Sequence, residues 1–106
     1  MDVEVSLISA IKTKEDFLLV LDEKISAEFF VTNGEVFKGI TSHYKHYNDV
    51  PSSEVLKEYF PNFAVIETDQ PIQFYIDRIK FLRKKNILKE ALSEAVNLIS
   101  KNPDAA

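Results

Sequence analysis

No cysteine occurs in this chain of 106 residues, which removes disulfides, thiolate metal sites and a thiol nucleophile from consideration. Glycine is almost as scarce. Gly34 and Gly39 stand at the outer spacing of a phosphate-binding loop, but Ile40-Thr41 occupies the place where such a loop needs lysine followed by serine or threonine. The lysine that would reach the phosphates is missing, so no nucleotide site is encoded. No run approaches the roughly 18 consecutive apolar residues of a membrane span, and the first residues lack the basic start of a signal peptide. A cytoplasmic location without membrane contact is therefore expected. No serine stands in a recognisable hydrolase motif. His43 and His46 are three apart on one helical face, yet no third histidine or convincing carboxylate accompanies them. They read as residues of a solvated or partly buried face. These absences predict a domain without catalytic residues, cofactor or metal.

What is present is organised around its last third. Residues 71–100, PIQFYIDRIKFLRKKNILKEALSEAVNLIS, contain no proline after Pro71, no glycine, and mostly good helix formers. They predict one helix of roughly 45 Å, too long for a compact domain of this size. Asp69 is the expected N-cap, Pro71 suits the first turn, and Asn102-Pro103 is a stop signal. At about 100° per residue the apolar positions fall on two faces. Ile72, Tyr75, Ile76, Ile79 and Leu82 form the first stripe. Phe74, Phe81, Leu88, Leu92, Ala95 and Ile99 form the second, a coiled-coil seam spaced 7, 7, 4, 3 and 4. The pattern predicts a first half packed on the preceding residues and a second half that projects and needs a partner. The competing reading folds the whole helix back onto its own core.

The length bounds the chain to one domain with a sufficient core. Its net charge of −4 is unevenly spread: residues 1–70 carry thirteen acids and six lysines (−7), and residues 71–106 carry four acids and seven Lys or Arg (+3). The expected organisation is a compact helical body over residues 1–70 and the long helix over residues 71–106. The cluster Arg78, Lys80, Arg83, Lys84, Lys85 and Lys89 points in several directions around the helix, without aromatic residues interleaved on one face. It is a poor nucleic-acid track, and direct nucleic-acid contact is not expected.

Within the body, Asp2 is placed to cap a short helix whose Val3, Leu7, Ile8 and Ile11 give one buried face. Thr13 and Asp16 form an approximate capping box before FLLVL, predicting a second helix through about Lys24, although DFLLVL alone also reads as a buried strand. Asn33-Gly34 between apolar runs is a hairpin signal. Against it, Thr32 with Glu35 reads as a capping box, and Phe37, Ile40 and Tyr44 follow at helical spacing. A helical turn at residues 26–30, a loop at 31–33 and a helix from Gly34 to about Tyr47 satisfy this balance. Asn48 to Pro51 is turn chemistry, Ser52 or Ser53 then caps a short helix, and Phe63, Val65 and Ile66 lead on in extended form.

In this order the segments resemble the N-terminal domain of DnaB-type replicative helicases, particularly the shorter phage-encoded kind. The residues concerned are Ser6 to Ile11, Ile25 to Phe30 with its acid and two aromatics, Phe37-Lys38-Gly39-Ile40, and Val50-Pro51-Ser52. Tyr75 to Ile79, followed by Arg83, Leu88 and Ala91, is similar to the family's tyrosine-led, arginine-rich start of a long helix. The likeness spans nearly the whole chain and lies in order and spacing; Tyr59 to Phe63 and the short approach to the long helix depart from it. The resemblance implies an all-α fold: a small orthogonal helical bundle followed by a long helix that is the first arm of a helical hairpin. It also implies an ATPase motor in a separate C-terminal domain, with the second arm beyond Ala106. Such arms pair between subunits to build the collar of a hexameric ring, which receives primase or a helicase loader. On that reading Phe81, Leu88, Leu92, Ala95 and Ile99 are the oligomer interface. The alternative is a self-contained helical adaptor that dimerises through the same seam.

Overall fold

The computed structural model describes the backbone of residues 1–101 and the side chains of residues 1–89. It is all-α. The elements are α1 (Val3–Ala10), α2 (Lys14–Asp22), a 3₁₀ turn (Ala27–Phe29), α3 (Gly34–Tyr47), α4 (Ser53–Tyr59) and α5 (Ile72–Lys101), and no strand occurs among the described residues.

Local capping sets most of these boundaries. The Asp2 carboxylate accepts from the Val5 amide at 3.2 Å and opens α1. Thr13 and Asp16 form a reciprocal box, each side chain accepting from the other's backbone N–H. Ser52 rather than Ser53 caps α4, accepting from the Val55 amide at 3.2 Å. Asn48 closes α3 in the left-handed region at φ 58°, a conformation asparagine tolerates better than most residues.

The start of α3 differs from the sequence expectation. Asn33 precedes the helix without a side-chain cap, and the Thr32–Glu35 box is not formed. Glu4 of α1 supplies the acceptor instead. Its carboxylate takes the amides of Val31 at 2.8 Å, Thr32 at 3.0 Å and Asn33 at 2.9 Å, and the Asn33 side-chain amide at 3.3 Å. A half-buried anion just ahead of a helix N-terminus satisfies the amides of the incoming loop and interacts favourably with the helix dipole, and here it comes from 27 to 29 residues away.

The helix α1 also corrects the expectation of one buried face. Val3, Ser6, Leu7, Ile8, Ser9 and Ala10 are all buried, so α1 is the central element rather than a side wall. Ser9 tolerates this position because its hydroxyl accepts the Ile66 amide at 3.0 Å, anchoring the extended segment before α5. The core that α1 joins holds Phe17 and Val20 of α2, Phe37 and Ile40 of α3, Leu56 of α4, and Tyr75, Ile76 and Ile79 of α5. The rings of Phe17, Phe30, Phe37 and Tyr44 interlock, with Phe30 stacked on Phe37 at 4.9 Å and Phe17 tilted against Tyr44 at 5.2 Å. Because α5 contributes three core residues, residues 1–70 and the start of the long helix form one packed unit.

Candidate interaction surface

The helix α5 begins at Ile72, so Pro71 immediately precedes the first turn and Asp69 lies outside the N-cap position expected for it. The Phe74 amide instead bonds back to the Pro71 carbonyl at 2.9 Å. Proline suits this place because the amide it lacks would have no helical partner there.

The two apolar faces separate in space. Tyr75, Ile76 and Ile79 of the first stripe are at most 2% exposed, Ile72 is half-buried, and Leu82 lies at the edge with 36% exposed. The second stripe is exposed: Phe74 at 37%, Phe81 at 60% and Leu88 at 62%. Of the expected interface residues, Phe81 and Leu88 therefore present apolar surface to solvent. Leu92, Ala95 and Ile99 lie outside the described side chains.

Basic residues tie the middle of α5 to the body. Lys80 pairs with Glu23 of the α2 C-cap, both side chains about two-thirds buried. Arg83 bridges to Glu28 and Phe29 of the 3₁₀ turn in three ways. Its guanidinium is 3.5 Å from the carboxylate, donates to the Glu28 carbonyl at 2.6 Å, and lies over the Phe29 ring at 4.8 Å. Arg78 lies 6.0 Å from the Phe74 ring centroid. Lys80 and Arg83 are thus structural, while Lys84, Lys85 and Lys89 are exposed.

Two exposed residues here were not singled out in the sequence. Val31, 77% exposed, and Ile87, 52% exposed, flank a cleft of about 370 Å³ with Phe29 and Arg83. Ile87 was legible through its i+4 spacing from Arg83, which places it on the side of α5 that faces the 3₁₀ turn. Val31 carried no such signal, because the loop it occupies is shaped by Glu4.

Elsewhere the chemistry is structural. The glycine pair lies inside α3, and Glu4 fills the amide cluster at the head of that helix where a phosphate would otherwise be drawn. His43 Nδ1 is 2.8 Å from the Tyr59 hydroxyl, and its ring packs on Tyr47 at 4.6 Å, fastening α3 to α4. His46 lies against the edge of Tyr47 rather than sharing a site with His43. Among the described residues no group of three or more His, Asp or Glu is placed to hold a metal. No helix among them is long and apolar enough to cross a membrane. Compared with models of protein families, with curated proteins and with solved structures, the chain gives no match.

Proposed function

We propose that this chain is a non-catalytic interaction domain whose long helix joins it to further copies. The assembly we propose is the N-terminal collar of a phage-type DnaB replicative helicase, where primase or a loader docks during DNA replication. The observation that carries the interaction reading is the division of α5. The helix buries Tyr75, Ile76 and Ile79 while Phe81 and Leu88 stand at 60% and 62% exposure on its other face. Burying one such leucine is worth roughly 1.5–3 kcal/mol, so an apolar seam of this spacing favours association. The helicase assignment is supported by the order and spacing of the short segments from Ser6 to Ala91.

Sedimentation velocity tests the interaction reading. The native chain sediments as dimers or larger rings at micromolar concentration. Leu88→Glu and Leu92→Glu shift it to monomer with helicity retained, because glutamate is a good helix former. Ile79→Glu puts a charge into the core and unfolds the body. If Leu88→Glu unfolds the protein as badly as Ile79→Glu, both stripes are internal core and the proposal fails. The helicase assignment has its own test in the reading frame after Ala106. A second helical arm followed by a phosphate-loop motif supports it; a stop codon leaves a self-contained adaptor. The purified chain itself hydrolyses no ATP on this reading.

A further inference from the structure

A second surface lies away from α5. Between α2 and α3 runs an open groove of about 410 Å³, and no described residue of α5 lines it. Ile25 and Phe37 form its floor, buried to 2% and 3% exposure, and Leu21, 37% exposed, forms one wall. Leu18, at 42%, continues that wall one turn earlier on α2. The opposite wall is the face of α3 that carries Lys38, Thr41 and Lys45. Helical spacing places Lys14 on the same side of α2 as Leu18 and Leu21.

The charge on this face runs against that of the body. Residues 1–70 carry thirteen acids and only six basic residues, Lys12, Lys14, Lys24, Lys38, Lys45 and Lys57, and two of the six, Lys38 and Lys45, line this one groove, which no acid lines. Glu35 lies 3.3 Å from Lys38, but the two side chains are 82% and 64% exposed, so the pair is weak and readily exchanged. Glu15 and Asp22 lie further round α2, beyond Leu18. Scattered exposed leucines are ordinary on a protein surface; two on one helix face, beside an apolar floor and facing two lysines on the opposite wall, match a particular ligand chemistry.

We propose that the groove between α2 and α3 docks an acidic amphipathic helix of a partner protein, its apolar side chains on Leu18, Leu21 and the Ile25–Phe37 floor, its carboxylates on Lys38 and Lys45. Helix-in-groove recognition uses this combination of anchors at i, i+3, i+4 and i+7 with charged flanks. Docking here is independent of association through α5.

The test uses a labelled designed peptide of about 16 residues with leucines at those positions and glutamates elsewhere. One control peptide replaces the glutamates by lysine and another replaces the leucines by serine. Binding is followed by fluorescence anisotropy with the whole chain, and amide chemical shifts map the site. The acidic leucine peptide binds saturably, moving the amides of Leu21, Lys38, Thr41 and Lys45. Both controls bind at least about tenfold more weakly, and so does the acidic peptide with the variant Lys38→Glu/Lys45→Glu. Since both lysines are exposed, the variant folds, which its unchanged circular dichroism verifies. Equal binding of the lysine peptide, equal binding of the serine peptide as for a simple polyanion site, shifts confined to Phe81 and Leu88, or no saturation would each overturn the proposal.

Discussion

Glu4 connects positions that are remote in sequence. One carboxylate on α1 satisfies three consecutive backbone amides before α3, so its loss hands the exposed Val31 and Thr32 amides to water and leaves the part-buried Asn33 donors without their acceptor. Hydrogen bonds to a charged group contribute about 1.5–3 kcal/mol each at most, and the three are not additive. Glu4→Ala is expected to destabilise the fold by about 2–4 kcal/mol, and Glu4→Gln by less, because an amide oxygen still accepts; urea unfolding followed by circular dichroism measures both. Gly39 poses a different local question. A β-carbon built there would stand 2.5 Å and 2.7 Å from ring atoms of Phe60, which packs directly on the α3 backbone. Alanine in a helix interior normally gains about 1 kcal/mol over glycine. We expect Gly39→Ala to destabilise the native chain by about 1–2 kcal/mol but to stabilise a Phe60→Ala background. A double-mutant cycle with no coupling would show that Phe60 gives way freely.

At the scale of the element, α5 is held by its buried stripe and by Arg83. The guanidinium stacks on Phe29 while bonding to the carbonyl and carboxylate of Glu28, and a lysine reproduces only the point charge. The ion pair itself adds little, since the Glu28 side chain is 81% exposed. The cation–π contact and the carbonyl bond dominate. Arg83→Ala should therefore cost about 1–2 kcal/mol and Arg83→Lys more than half of that, with the change insensitive to added salt. A strong salt dependence of the difference, measured by denaturation at low and high ionic strength, would transfer the effect to the Glu28 carboxylate. The contrast with Leu88 is informative, because a residue only five positions further on stands 62% exposed.

At the scale of the whole molecule, association through α5 and folding of the body are linked by mass action. If copies join through Phe81 and Leu88, the assembled state is favoured as concentration rises and the melting temperature rises with it. A hundredfold change in protein concentration should move the melting temperature of the native chain measurably, and that of Leu88→Glu not at all. Thermal scans across that range supply the measurement. A concentration-independent native transition would mean that α5 is self-sufficient.

Much of this architecture was legible along the chain because its causes are local. Asp2, Thr13 with Asp16, and Ser52 cap helices through neighbours three residues away, and two apolar periodicities on residues 72–88 already mark two separate faces. The helical resolution of Asn33-Gly34 followed from the spacing of Phe37, Ile40 and Tyr44, although the cap assigned to Thr32 and Glu35 is absent. What the sequence could not disclose is contact between distant segments. That Glu4 heads α3, that Ser9 holds Ile66, that Arg83 reaches Glu28 and that Gly39 receives Phe60 all depend on which helices meet. For the same reason the sequence determined that α5 has two apolar faces, while only packing around a central α1 decided which of them the body covers. Periodicity is a property of one helix; burial is a property of its neighbours.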